Sequence, residues 1–229
     1  MRMSKGRVSE LLLDATGERG ARVACPEGAV PEPGRYLLAW SPDDKDASLA
    51  APIFPTEIAD HEFLAGSPIP QSWEPGTELS LRGPLGRGFN VPADSRHLFL
   101  AALGGTVSRL LTLIKQSLER NVAVALFTDS PLPNIPTALE VHPLIELADS
   151  LSWADFIGID LPIDLLDSLT TVLGMQPGTT TNCTTQVLVS TSMPCGGVGE
   201  CGVCSVTGKR QSKLACKDGP VFDLQDLTW

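Results

Sequence analysis

The stretch HLFLAALGGTVSRLLTLIKQSLERNVAVALF, His97 to Phe127, decides the fold class. His97–Ala102 is a short, almost wholly apolar run, suited to a strand buried on both faces. Beyond Gly104-Gly105-Thr106, the residues Val107, Leu110, Leu111, Ile114 and Leu118 recur at the i, i+3, i+4, i+7, i+11 spacing of an amphipathic helix. Asn121 ends that helix, and Val122–Phe127 predicts a second buried strand. The unit is βαβ, which requires parallel strands and a right-handed crossover. Further on, Asp155–Ile159 predicts another strand, and Pro162 the first turn of a helix that runs to Leu173 and stops at Gly174.

Upstream the pattern changes. Val8–Leu13, Tyr36–Trp40 and Glu78–Leu81 read as short strands, broken by Pro42-Asp43-Asp44, Pro68 to Pro70 and Pro75-Gly76. This predicts a small antiparallel barrel or sandwich. Downstream, a polar linker from Gln176 leads to a strand at Gln186–Ser190. The expected fold is α+β in three segments: an antiparallel β-barrel over 1–92, a nucleotide-type α/β domain over 93–175 and a cysteine-bearing segment over 176–229.

The 229 residues carry a net charge of −10 with no basic stripe, which excludes a nucleic-acid partner. No apolar run is long enough to span a bilayer, and Leu11-Leu12-Leu13 is too short for the core of a signal peptide. A cytoplasmic protein is expected, with its thiols reduced and available to metal. His61, His97 and His142 are scattered without partners in the sequence, and nothing reads as a nucleophile or a general acid–base pair.

Four of the six cysteines, Cys195, Cys201, Cys204 and Cys216, fall close together. The first three sit in Pro194-Cys-Gly-Gly-Val-Gly-Glu-Cys-Gly-Val-Cys-Ser205, and Cys216 returns after an excursion with a turn at Gly208-Lys209. A [2Fe–2S] cluster needs four thiolates, two on each iron, and backbone amides aimed at its sulfides. Gly196, Gly197, Gly199 and Gly202 let the backbone take positive φ around such a core. Val198 and Val203 are expected to shield it from water. Zinc is the alternative, although zinc ribbons use two separated Cys-x2-Cys knuckles and only Cys201/Cys204 forms one. Cys25 and Cys183 lack such neighbours and are expected to stand outside the ligand set.

The cysteine loop, followed by Lys213-Leu-Ala-Cys-Lys-Asp-Gly-Pro-Val-Phe222 and a terminal Trp229, resembles the electron-transfer subunit of class 1B dihydroorotate dehydrogenase. Gly83-Pro-Leu-Gly-Arg-Gly-Phe89 resembles that family's Gly-Pro-Leu-Gly-x-Gly-Phe element, and the three-segment order is similar. The resemblance implies a ferredoxin-reductase-like barrel that binds FAD, an α/β domain that receives NAD, and a [2Fe–2S] cluster on the four cysteines. It also implies electron relay to a catalytic oxidoreductase subunit, and a role in pyrimidine biosynthesis. Gly83, Gly86 and Gly88 on the flavin side, and Gly104 and Gly105 on the nucleotide side, are the implied cofactor-binding remnants.

Three elements depart from the family's pattern, the first being five residues where the family usually has four between Cys195 and Cys201. Its Arg-Pro-x-Ser flavin motif is matched by Ala51-Pro-Ile-Phe54, which loses the cation for a pyrophosphate and the hydroxyl for the isoalloxazine together. Its glycine-rich nucleotide loop is reduced to Gly104-Gly105-Thr-Val-Ser, and its Cys-Gly-Pro becomes Gly158-Ile-Asp-Leu-Pro-Ile163. The expectation is therefore a subunit that relays single electrons for a flavin- or metal-containing partner and is not a stand-alone catalyst. The alternatives are an FAD-dependent NADH-oxidising subunit and a zinc-bearing structural or assembly protein.

Overall fold

A computed structural model describes residues 3–43, 49–132 and 135–229. Met1, Arg2 and Asp44 of the Pro42-Asp43-Asp44 turn lie outside the described residues. The first seven strands are β1 (Met3–Leu13), β2 (Arg19–Ala24), β3 (Tyr36–Trp40), β4 (Ala51–Ile53), β5 (Pro55–Ala59), β6 (Glu62–Ala65) and β7 (Glu78–Leu85). They form one antiparallel sheet in the order β4-β3-β7-β1-β2-β6-β5. Its two edge strands, β4 and β5, are separated in the chain by Phe54 alone, so the sheet has to curl until its edges meet. That is the predicted barrel, closed by the covalent chain.

Strand β3 shows why the barrel is more than a bag of apolar residues. Leu37 and Ala39 point into the barrel core with Val8, Val23, Phe63 and Trp73. Tyr36 and Leu38 alternate to the other face and join a second core that includes Cys204, Cys216 and Trp229. One strand thus serves two cores, and all four residues are buried.

The second sheet is built from β8 (His97–Ala102), β9 (Ala123–Thr128), β10 (Glu140–His142), β11 (Phe156–Pro162), β12 (Thr184–Ser190) and, in the later chain, β15 (Val221–Asp223). Its order is β10-β9-β8-β11-β12-β15, parallel throughout except for β15 on β12. Among the described residues three short α-helices accompany it: α1 (Leu111–Glu119), α2 (Leu147–Ser150) and α3 (Leu169–Leu173). The βαβ unit of the opening stretch is present, with α1 entered through a 3-10 turn at Ser108–Leu110 and left through Asn121 at φ 59°.

The second expected helix is shorter than its pattern suggests. Pro162 ends β11, Ile163–Ser168 forms a 3-10 run, and only Leu169–Leu173 is α-helical. Thr170, Thr171 and Val172 are β-branched, and a helix this short has little propagation to offset its nucleation. Gly174 caps it in the left-handed region at φ 60°.

Strands β12 and β15 place residues 176–229 on the same sheet as residues 93–175. The cysteine loop is an excursion between those two strands, held by the small hairpin β13 (Ser205–Val206) and β14 (Lys213–Leu214). Among the described residues no helix is long and apolar enough to cross a membrane. Two histidines do have neighbours: His97 Nδ1 lies 3.2 Å from Asp155 and His142 Nδ1 lies 3.2 Å from Glu146. Asp155 is 58 residues from His97, a proximity the linear sequence does not carry.

Candidate functional site

The chain leaves β12 at Ser190, and the loop begins with a turn in which the Gly196 N–H donates to the Met193 carbonyl. Gly196, Gly197, Gly199 and Gly202 have φ of 66°, 71°, 80° and 73°, the left-handed region in which a Cβ is costly. These turns aim successive N–H groups inward. Burial pushes the Cys195 thiol up, but the N–H groups of Gly199, Cys201 and Glu200, with the Cys201 thiol, bring it down to about 6. Three amides converging on one sulfur form an anion-binding nest.

The hairpin brings the other two thiols together. Ser205 pairs with Leu214, so Cys204 just before β13 and Cys216 just after β14 flank the same ladder. The Ala215 N–H donates to the Cys204 carbonyl at 2.9 Å. Both thiols are buried, at 1% and 3% exposure. Burial, reinforced by the Cys204 thiol, pushes Cys216 up to about 12. The Cys195 thiol thus interacts with Cys201, and the Cys216 thiol with Cys204 and also with Cys195. Among the described residues no three His, Cys, Asp or Glu side chains converge as ligands of one metal ion.

Tyr36, the chain's one tyrosine, ties this loop to the barrel. It is fully buried, and its Oη donates to the Cys216 carbonyl at 3.1 Å. Burial pushes its phenol up, and the Cys216, Cys204 and Cys195 thiols add to the shift. Val198 and Val203 do not cover the thiols as expected; they are 43% and 54% exposed and turn outward with Cys201. On a tight glycine-rich loop, the inward directions are taken by backbone N–H groups, which leaves the side chains outside. Cys25 lies in the barrel core and Cys183 at the base of the second sheet, both away from the loop.

The glycines of the Gly83–Phe89 element serve packing. Gly83 lies within β7, where a Cβ would sit 2.9 Å from Leu37. At Gly86 a Cβ would sit 2.5 Å from Pro220, and at Gly88 it would sit 2.5 Å from the Pro33 carbonyl oxygen. The Arg87 N–H donates to the Gly219 carbonyl, so the element clasps the chain just beyond Cys216 and is no free surface loop. Gly104 and Gly105 form the turn from β8 towards α1 and line a crevice of about 650 Å³ between barrel and sheet.

That crevice continues, past Gly66 to Pro68 and Ser108, into a second cavity of about 520 Å³. The second cavity is walled by Pro52 and Phe54 of the barrel, Arg109 and Pro162 of the sheet side, and Met193 and Pro194 of the cysteine loop. Chain order reverses at β8, whose neighbours are β9 and β11, and the C-terminal strand ends at such a switch point are where open α/β sheets bind ligands. Asp160, at that end of β11, is fully buried, and both its oxygens accept from Arg109 Nε, at 2.8 and 3.0 Å. Burial pushes this carboxyl up while the guanidinium pulls it down. Neither residue of the pair stood out in the sequence.

Residues 190–228 match the iron–sulfur cluster binding domain of dihydroorotate dehydrogenase B. Over 86% of its length the chain is 25% identical to 80% of a probable dihydroorotate dehydrogenase B (NAD(+)) electron transfer subunit of Thermoplasma acidophilum. It is 25% identical to the corresponding Clostridium acetobutylicum subunit, over 83% of each. The chain is a divergent relative of these electron transfer subunits.

Its fold is that of the ferredoxin-reductase-like proteins. The NADH-dependent reduced ferredoxin–NADP oxidoreductase superposes with a TM-score of 0.74 at 15% identity, covering 98% of this chain and 90% of that one. Phthalate dioxygenase reductase superposes with a TM-score of 0.56 at 12% identity, covering 94% and 77%. Against these relatives the altered barrel motif has a visible consequence. Ala51 puts no cation in β4, and Phe54 packs against Tyr36 with ring centroids 5.5 Å apart and planes tilted by 34°. FAD held through the family's barrel motif does not fit these residues.

Proposed function

We propose that the protein is an electron-transfer subunit that holds a [2Fe–2S] cluster on Cys195, Cys201, Cys204 and Cys216 and passes electrons singly to or from a partner oxidoreductase. The observation that carries this reading is the gathering of the thiols on a loop whose backbone amides converge on Cys195. Four thiolates, two to each iron, are what such a cluster needs, whereas zinc ribbons use two separated Cys-x2-Cys knuckles and only Cys201/Cys204 forms one. Such a cluster, when bound, supplies a one-electron redox centre.

The chain's residues then have separable tasks. The Gly199, Glu200 and Cys201 amides offset negative charge on sulfur, and Cys204 and Cys216 sit on the dry side. Tyr36 fixes the Cys216 backbone against the barrel. Val198, Cys201 and Val203 form the exposed rim, the side offered to a flavin- or metal-containing partner subunit.

Protein purified anaerobically should show visible bands and contain iron and acid-labile sulfide at about 2:2 per chain. Serine in place of any one of the four cysteines should reduce both contents sharply, whereas Cys25→Ser and Cys183→Ser should leave them unchanged. A colourless zinc protein supports the structural alternative, and released FAD supports the NADH-oxidising one. A preparation without iron or sulfide refutes the assignment.

A further inference from the structure

We propose that the rim of the cysteine loop docks a partner whose electron-exchanging face carries carboxylates, recognised by Lys209, Arg210 and Lys217. The inference rests on the electron-transfer reading above and adds the chemistry of the partner. Between Cys195 and Gly219 four cations, Lys209, Arg210, Lys213 and Lys217, meet two carboxylates, Glu200 and Asp218, in a chain whose net charge is −10. The local sign is therefore opposite to that of the molecule. Lys213 is already held, because its Nζ donates to Asp226 at 2.6 Å. Lys209, Arg210 and Lys217 are exposed, and among the described residues none has a carboxylate within ion-pair distance. Elsewhere Arg7, Arg22 and Lys115 are each engaged by glutamates.

The hairpin sets these charges beside the thiols. Cys204 stands just before β13, so the tip at Lys209 is at most about 17 Å of extended chain away. The tip is fixed, since the Lys209 N–H donates to the Asp226 carbonyl and the Thr228 N–H to the Thr207 carbonyl. Lys217 follows Cys216 directly, and its stem crosses the loop, with Cδ 3.5 Å from the place a Cβ on Gly199 would take. Val198 and Val203, 43% and 54% exposed, supply the apolar centre. Such a surface buries apolar area at its middle, while charge around it steers encounter and fixes register. A second copy of this chain would bring like charges together, so the surface opposes self-association and suits an acidic face.

Two one-electron oxidants of opposite charge read this field in the full chain: ferricyanide, a trianion, and tris(1,10-phenanthroline)cobalt(III), a trication. After reduction with dithionite and its removal, either oxidant takes one electron from the protein, followed in stopped flow by the return of the visible bands. A change of redox potential moves both rates the same way, so their ratio isolates the field. Charges are felt over about 10 Å at 0.1 M salt and about 3 Å at 1 M. Lys209→Glu/Arg210→Glu should lower the ferricyanide-to-cobalt ratio about tenfold at 0.1 M and leave it native at 1 M. Arg96→Glu/Arg120→Glu makes the same change of net charge just before β8 and β9, whereas the cysteine loop leaves the far end of the parallel β12. That control should move the ratio less than about twofold. If the charge reversal disturbs folding, Lys209→Gln/Arg210→Gln should give about half the logarithmic effect. In the metal-free protein, alkylation of the exposed Cys201 by anionic iodoacetate relative to neutral iodoacetamide should fall about threefold in the hairpin variant at 0.01 M salt. Equal effects of the two reversals, an unchanged Cys201 ratio, or a ferricyanide-to-cobalt ratio that rises in the hairpin variant overturns the proposal. A preparation without iron or sulfide refutes the electron-transfer reading instead, and the Cys201 ratio still measures the charge at the rim.

Discussion

Tyr36→Phe isolates the link between the barrel and the cysteine loop. The substitution keeps the ring, its burial and its contact with Phe54, and removes only the bond from Oη to the Cys216 carbonyl. Leaving a buried acceptor without its partner costs about 1–3 kcal/mol. For a chain of this size, roughly 2–4 °C is lost per kcal/mol, so the melting midpoint should fall by roughly 2–12 °C. The loss should be local as well as global, because the carbonyl belongs to a proposed ligand. Cluster release to an excess of iron chelator should quicken in Tyr36→Phe. Val23→Ala, a cavity in the separate barrel core, serves as the control: its midpoint falls while its release rate at low temperature stays native. An unchanged release rate in Tyr36→Phe, or equal acceleration in both variants, refutes the idea that this phenol positions Cys216.

Thiol reactivity in the metal-free protein should follow the local fields. Cys195, lowered to about 6, is mostly thiolate at pH 7, and its alkylation by iodoacetamide should rise as pH increases through about 6; Cys216, raised to about 12, should stay unmodified until unfolding, as peptide mapping by mass spectrometry would read out. Gly86→Ala places a Cβ 2.5 Å from Pro220 at φ 74°, so overpacking and left-handed strain together should cost about 2–5 kcal/mol in denaturant titration, and a neutral result refutes the clasp. Arg109→Met alone strands a fully buried carboxylate and should cost about 3–5 kcal/mol, most of it recovered on adding Asp160→Leu.

The legible parts of the chain were those whose signal is local. The βαβ unit announced itself through helical periodicity between two apolar runs, and Tyr36–Trp40 was bounded as observed. Strands such as Arg19–Ala24 and Pro55–Ala59 carry charged and small residues and a proline, and they exist because neighbouring strands pair with them. The cysteine loop was readable because its glycines and thiols fall within one short segment. Its anchor was not, since Tyr36 and Cys216 are 180 residues apart. The outward turn of Val198 and Val203 follows from the amides taking the inner side, a consequence of backbone handedness that composition does not reveal.

The two departures in the nucleotide region, read separately in the sequence, are one change in the structure. Arg109 follows the shortened glycine turn and Asp160 lies near the end of β11 where a Cys-Gly-Pro was expected; 51 residues separate them, yet they form a single buried pair. Neither residue is tolerable alone in that position, because either would leave an uncompensated charge in a low-dielectric site. Their joint presence therefore cannot be read as piecemeal decay of a nucleotide pocket, in which the first loss would have been the costly one. The pair also leaves the neighbouring cavity open, with a cationic fork at its wall and the cysteine loop at its far side. The cavity lining carries charges of both signs, Arg109 and Asp164, and of these only Arg109 is bound into a buried pair that is costly to break from either side.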